Sequence, residues 1–246
     1  MDFRIGDVVN RTFGSISRNF TTFFLLSLVL VGVPTFITGL AQFGATAPGT
    51  NLFGGAIVFA WIVGAVAGYI LQGAIIHGAV VDFNGARASL GDCLSTGLKH
   101  FLPLVGIAIL MTLGIAAGML LLIIPGIILA IMWAVAIPAQ VIENMGVLKS
   151  FGRSRELTKG SRWKIFGLFV IYIILAIVIG MMVMLPASVF TSAGSGSATS
   201  TVLNVFQTLS TVLSAVVGSA GVSALYYELR KSKEGVGADA LASVFD

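Results

Sequence analysis

Charged residues are scarce in this chain, where Lys, Arg, Asp and Glu make up 10% of 246 residues, against about 25% in soluble domains. Hydrophobic residues make up 57%. Several uncharged runs exceed the roughly 20 apolar residues that one membrane span needs. The composition therefore predicts an all-α integral membrane protein, organised as one membrane domain over residues 1–246 with no stretch left for a folded soluble domain.

Cysteine and histidine are almost absent, since the chain has only Cys93, His77 and His100. One cysteine cannot form an intramolecular disulfide, and so few separated ligands do not make a metal site. No Gly-x-Ser-x-Gly nucleophile turn and no Gly-x-x-x-x-Gly-Lys phosphate loop occurs. We therefore expect no catalytic residue, no metal and no cofactor. The net charge of +4 is typical of cation-rich cytoplasmic loops, so we expect no nucleic-acid partner.

The charges fall in four clusters, at 2–18, 82–99, 143–164 and 228–246. Each uncharged stretch between them is long enough for two spans and is interrupted near its middle by turn-forming residues, at 44–51, at Pro125-Gly126, and at 188–201 after Pro186. Backbone groups must be paired in hydrocarbon, so six transmembrane helices are predicted, at 20–43, 53–81, 101–123, 127–143, 165–186 and 202–227. Every Lys and Arg then faces the cytoplasm of a bacterial inner membrane, with both termini inside.

An apolar pattern at helical spacing precedes the first hairpin, at Ile5, Val8, Val9, Thr12, Phe13 and Ile16. It recurs at Leu90, Cys93, Leu94, Gly97, Leu98 and Phe101, and more weakly at Val147, Ser150, Phe151 and Ser154. The sequence thus predicts three parallel hairpin repeats, each preceded by a cytoplasmic amphipathic helix. The repeats cover 1–81, 82–143 and 144–227, and a cytoplasmic tail follows at 228–246.

The segment 149–164, KSFGRSRELTKGSRWK, holds six of the 14 basic residues. A Lys or Arg near an anionic leaflet contributes about 1 kcal/mol of binding free energy. We therefore predict a surface helix and the entry to the fifth span here, with Trp163 as interfacial anchor. The predicted lipid-headgroup residues are Arg153, Arg155, Lys159, Arg162 and Lys164, with Arg11, Arg18 and Arg230 converging from neighbouring repeats. The alternative is that these cations only set the topology.

Acidic residues lie beside the cations at the same predicted face, and include Asp7, Asp82, Asp92 and Glu143. A carboxylate pair is one interpretation of them, and ion pairing with nearby arginines is the other. No charge falls mid-membrane, which argues against proton-coupled transporters, pumps and voltage sensors. Prolines at Pro34, Pro138 and Pro186 are predicted to kink or end spans.

Three segments carry a resemblance to a known family: IGDVVNRTFGSISRNF, IIPGIILAIMWAVAIPAQVIENMGVLKSFGRSRELTKGSRWKIFGL and ALYYELRKSKEG. With them the chain resembles the membrane domain fused to some bacterial glycerophosphodiester phosphodiesterases, and the related free-standing YciC-like inner-membrane proteins. The phosphodiesterase domain, with its His and acidic metal site, has no counterpart in this sequence. The resemblance therefore implies a multi-pass protein linked to phospholipid metabolism, and it carries over no catalysis.

The leading hypothesis is a non-enzymatic protein that binds or organises anionic membrane lipids at the cytoplasmic leaflet, with or without a protein partner. A transporter or flippase for a lipidic or small uncharged substrate is the first alternative. It predicts a midplane cavity lined by Gln72, His77, Asn204 or Gln207. The second alternative is a structural subunit of a larger membrane complex. Small-residue spacings, at Gly64/Gly68, Gly114/Gly118 and Ser210/Ser214/Gly218, allow close helix packing within one chain or in an oligomer.

Overall fold

The computed structural model of the chain describes residues 3–45, 54–192 and 197–235. Within those ranges the secondary structure is helical and contains no strand, as the composition predicts. Six segments are long and apolar enough to cross a membrane: Phe20–Leu40, Trp61–Phe83, Leu90–Leu121, Ile123–Glu143, Arg162–Leu185 and Thr199–Glu234. The protein is therefore an all-α, multi-pass membrane protein.

The described helices are α1 (Ile5–Arg18), α2 (Phe20–Ser27), α3 (Val33–Ala45), α4 (Gly54–Phe83), α5 (Leu90–Leu121), α6 (Ile123–Met132), α7 (Ala136–Glu143), α8 (Val147–Thr158), α9 (Arg162–Ser192) and α10 (Ser197–Glu234). A π-helical turn, Leu28–Gly32, joins α2 to α3 just before Pro34. That turn is a recognised form of local helix distortion. The predicted breaks at 44–51 and 188–201 fall partly outside the described residues. Most of the predicted tail, 228–246, also lies outside them.

The predicted start of the third span is wrong. The second amphipathic segment and the third span form one continuous helix, α5, which begins at Leu90 after the Ser89 side chain accepts a hydrogen bond of 3.1 Å from the Asp92 backbone. An N-cap of this kind starts a helix, and no proline occurs in α5 before Pro103. The fifth span, Arg162–Leu185, ends next to Pro186 as predicted, although the helix α9 continues to Ser192.

The turn between the third and fourth spans lies at Leu122, an extended residue, rather than at Pro125-Gly126. Pro125 falls in the first turn of α6, where its missing N–H costs no helical hydrogen bond. A Cβ built on Gly118 would lie 3.0 Å from the Gly126 Cα. These two glycines therefore allow the backbones of α5 and α6 to approach closely, as the small-residue spacing predicts.

The fourth span is broken between α6 and α7, at residues 133–135, three residues before Pro138. A proline ring clashes with the carbonyl four residues earlier, here that of Ala134, which ends the helix before the proline rather than at it. The second part of the span is the most deeply packed helix, with Ala136 to Ile142 all buried. The predicted disturbance at Pro138 is therefore a full interruption inside the core.

The core surrounds α7 and the C-terminal part of α10, where Tyr226, Leu225 and Ile142 are almost inaccessible. The outer surface is apolar, and on α9 only 11% of the span is buried inside the protein.

On α1 the buried residues are Val8, Thr12 and Ser15. Phe13, which belongs to the predicted apolar face, is 45% exposed.

Candidate functional site

An ion pair joins α1 to the end of α4. Arg18 donates from Nε to Asp82 Oδ1 at 2.9 Å and from Nη2 to Oδ2 at 2.6 Å, and Asn19 Nδ2 donates to Oδ1 at 2.9 Å. Asp82 is 8% exposed, so these donors satisfy a carboxylate that would be costly to bury alone. The hydrogen bond to Asp82 raises the pKa of the Arg18 guanidinium, against a smaller lowering by burial.

A second ion pair joins α1 to α10, where Arg11 donates from Nε to the buried Glu228. The same guanidinium lies 4.5 Å from the ring centroid of Tyr227 and 5.8 Å from that of Phe83. Both distances are within the range of a cation–π interaction. Arg11 is therefore held by one carboxylate and two aromatic faces.

A third group is centred on Glu143, the last residue of α7. Arg153 on α8 donates to both carboxylate oxygens at 2.9 Å, and the buried Tyr226 hydroxyl donates to Oε1. Arg153 also pairs with Glu234, which accepts from Arg230 at 2.9 Å. Burial lowers the pKa of Arg153, but its hydrogen bonds to Glu234 and Glu143 outweigh that effect and raise it overall. This group ties the ends of α7 and α10 to α8.

These contacts confirm arginine pairing for two of the four acids considered from the sequence, Asp82 and Glu143. They also assign carboxylate partners to four of the eight predicted headgroup residues: Arg11, Arg18, Arg153 and Arg230. The partners Glu228 and Glu234 were not anticipated, because a sequence shows that charges share a face without showing which side chains meet. Phosphate binding by these four arginines stays a prediction.

The other four predicted residues lie around the junction of α8 and α9. Arg155 and Lys159 are exposed and form no ion pair with any residue in the described ranges. Lys164 Nζ donates to the Phe3 carbonyl at 3.0 Å. The Arg162 Nε is buried and has no hydrogen-bond partner within those same ranges. Beside it, Trp163 is 85% exposed.

Polar contacts fix α8 against the broken fourth span. The Ser154 hydroxyl accepts a hydrogen bond of 3.2 Å from the Val135 backbone N–H, and Thr158 Oγ1 is 3.4 Å from the Met132 carbonyl oxygen. Gln140, which is 1% exposed, accepts from Gly146 N and Ser150 Oγ, both at 2.9 Å. Sequence reasoning treated Ser150 and Ser154 as weak apolar positions. Serines on the inner face of a helix beside a proline-broken span are the signal that was missed.

The four predicted cavity residues differ in their surroundings. Asn204 is buried and donates to the Phe36 carbonyl at 2.9 Å, a contact between α10 and α3, whereas Gln207 is exposed. Gln72 and His77 are half-buried on α4. Two clefts of about 540 and 470 Å³ lie beside α6 and α9, and none of these four residues lines either of them. A transport cavity lined by them stays a prediction.

Comparison with known proteins gives one match. A family described as a domain of unknown function (DUF7847) matches residues 100–228, slightly more than half of the chain. The matched region contains α6 to α9, the cations at the α8–α9 junction, and Glu143, Arg153 and Tyr226 of the third group, whereas Arg230 and Glu234 lie beyond its end. No curated protein and no solved structure matches the chain. The resemblance to phosphodiesterase membrane domains and YciC-like proteins therefore stays a prediction.

Proposed function

The chain belongs to the DUF7847 family, and from its geometry we propose that it is a non-enzymatic inner-membrane protein that binds anionic phospholipid headgroups at the cytoplasmic leaflet. The observation that carries this proposal is the pair of exposed cations, Arg155 and Lys159, without acidic partners in the described part of the chain. They stand next to an exposed tryptophan, Trp163. Tryptophan at the headgroup level beside Lys and Arg is typical of a membrane interface.

The difference between the arginines that have carboxylate partners and the exposed cations Arg155 and Lys159 supports this assignment. Arginines with carboxylate partners hold helices together, so their charge is largely neutralised. Arg155 and Lys159 keep their full charge toward the surroundings, where the complementary group is a lipid phosphate. The arginine fork binds phosphate with two hydrogen bonds and lysine contributes a point charge.

The proposed orientation rests on the ion pairs between charge clusters. Arg11–Glu228 and Arg18–Asp82 link the first cluster to the fourth and the second, and Arg153–Glu234 links the third to the fourth. Such links support three hairpins that begin and end on one side of the membrane. Since Lys and Arg are retained on the cytoplasmic side, that side is the cytoplasm.

The test compares two double variants that remove the same charge. Purified protein in detergent is titrated with phosphatidylglycerol or phosphatidylcholine, and lipid adducts are quantified by native mass spectrometry. Arg155→Gln with Lys159→Gln is expected to weaken phosphatidylglycerol binding about fivefold per cation, from about 1 kcal/mol each. Arg87→Gln with Lys99→Gln removes the same charge from exposed positions that have no tryptophan near them in the sequence, so this control is expected to keep wild-type affinity. Equal binding of both lipids by the wild type, or equal loss in both double variants, would contradict the proposal.

A further inference from the structure

The two clefts beside α9 share part of their walls. Ile127 and Ile131 of α6 and Phe166 of α9 line both of them. One cleft extends toward α10, where it reaches Gly218 and Gly221, and the other extends to Arg162 and Trp163 at the start of α9. We call the two together the α6–α9 groove. Each part has a volume within the range of about 300–1,000 Å³ that is usual for small-ligand sites.

The groove is lined almost entirely by hydrocarbon. In the part that faces α10, the only hydroxyl side chains are those of Tyr172 and Ser214. The Tyr172 hydroxyl is 3.1 Å from Thr12 Oγ1 and packs against Gly221, so it is engaged with the protein. A polar ligand would lose its hydration in such a groove without gaining hydrogen bonds. The occupant must therefore be apolar where it lies between α9 and α10.

The other end of the groove carries a charge. The Arg162 Nε is buried without a hydrogen-bond partner in the described part of the chain, and Arg162 itself lines the groove beside apolar side chains. A guanidinium that is partly removed from water is stabilised by an anion that accepts its hydrogen bonds. The exposed Trp163 places this end at the headgroup level. The groove thus requires a ligand with an anionic head and an apolar tail.

We propose that the α6–α9 groove binds one anionic phospholipid, with an acyl chain between α9 and α10 and the phosphate on Arg162. This inference rests on the proposed headgroup-binding function and assigns it a discrete site. The Arg162 Nε at one end favours an occupant with an anionic head, which a phospholipid has and an apolar transmembrane helix lacks. The surrounding bilayer supplies the matching ligand at high concentration.

Gly218 offers a way to fill the groove without disturbing a contact. A Cβ built there meets no atom within 4 Å, and Gly218 lines the part that faces α10. Gly180 on α9 has the same open space and does not line the groove, so it is the matched control. Gly218→Leu puts a branched side chain into the acyl-chain position, whereas Gly180→Leu adds the same side chain elsewhere in the membrane-spanning region.

The experiment counts phospholipids that stay on the protein after exhaustive detergent washing, by native mass spectrometry, before and after adding phosphatidylglycerol. The wild type and Gly180→Leu are expected to retain one phospholipid, and Gly218→Leu is expected to show about tenfold lower occupancy. Arg162→Gln is expected to retain a lipid but to lose its preference for phosphatidylglycerol over phosphatidylcholine. Circular dichroism melting of each variant checks that it is folded.

Two results would overturn the groove assignment: equal retention by folded Gly218→Leu and Gly180→Leu, or no retained phospholipid on the wild type. The headgroup surface would survive either result if Arg155→Gln with Lys159→Gln still weakened phosphatidylglycerol binding in titrations. Conversely, the wild type could retain a lipid that Gly218→Leu removes, while Arg155→Gln with Lys159→Gln leaves phosphatidylglycerol binding unchanged. That result would support the groove and contradict the headgroup surface. The two failures are therefore distinguishable.

Discussion

The Ser154 hydroxyl on α8 donates a hydrogen bond of 2.9 Å to the carbonyl oxygen of Met132, the last residue of α6. It also accepts from the Val135 N–H on the far side of the break, so one side chain satisfies both ends of an interrupted span. Unpaired backbone groups at a helix break are costly in an apolar interior. The break before Pro138 is therefore stable because α8 packs against it.

Replacing Ser154 with Ala removes that bridge and takes this partner from the half-buried Met132 carbonyl and from the buried Val135 N–H. We expect the free energy of unfolding to fall by about 1–3 kcal/mol, the cost of unsatisfied buried polar groups. Denaturant titration in detergent, followed by circular dichroism, measures it. Ser95→Ala is the control, because that exposed serine donates to the Asp92 carbonyl within its own helix. Equal small losses for both variants would mean that α8 does not support the break.

Removing the hydroxyl of Tyr226 tests the Glu143 group. Tyr226 is 0% exposed and donates to the Glu143 carboxylate, so Tyr226→Phe takes one donor from a charge in the interior. We expect a loss of about 1.5–3 kcal/mol in the free energy of unfolding, as for hydrogen bonds to charged groups. Tyr227→Phe is the control, since its ring would still face Arg11. A loss from Tyr227→Phe as large as that from Tyr226→Phe would contradict this role.

Arg18 and Asp82 should be energetically coupled. Arg18→Ala leaves a buried carboxylate with the Asn19 amide as its remaining partner, so it is expected to cost about 1.5–3 kcal/mol in the wild type. In an Asp82→Asn background the same change removes no counter-ion, and it is expected to cost less. A double-mutant cycle measures the difference. Additive losses would show that α1 is held to α4 by its apolar contacts alone.

The proposed orientation predicts the labelling of introduced cysteines. Cys93 is buried, so the wild-type background should react slowly with a membrane-impermeant maleimide. Ala86→Cys and Lys159→Cys are expected to react only after the cells are permeabilised, because both positions are assigned to the cytoplasm. Thr50→Cys, in the predicted outer loop, is expected to react in intact cells. Labelling of either cytoplasmic position in intact cells would overturn the orientation and the headgroup surface with it.

The spans could be predicted from sequence because the property that defines them is local. A run such as the fifth span is apolar enough to enter a bilayer whatever it packs against, and five of the six predicted helices overlap the described ones closely. The exception is the third, where the amphipathic segment from Leu90 continues into the span without a break. Hydrophobic pattern indicates which face is buried, but it does not indicate whether two adjacent helices are separate.

The sequence by itself determined that the chain is helical, that six segments are long and apolar enough to cross a membrane, and that the cations gather at a few connectors. These properties are local, because burial of apolar residues and exclusion of charge act residue by residue. Only the tertiary structure decided that Arg153 meets Glu143 and Glu234 while Arg155 stays exposed two residues later. It also decided that Ser154 bridges the fourth span and that Arg162 borders an apolar groove. Such outcomes depend on the distances between helix ends that are far apart in the sequence, and the sequence by itself does not give those distances.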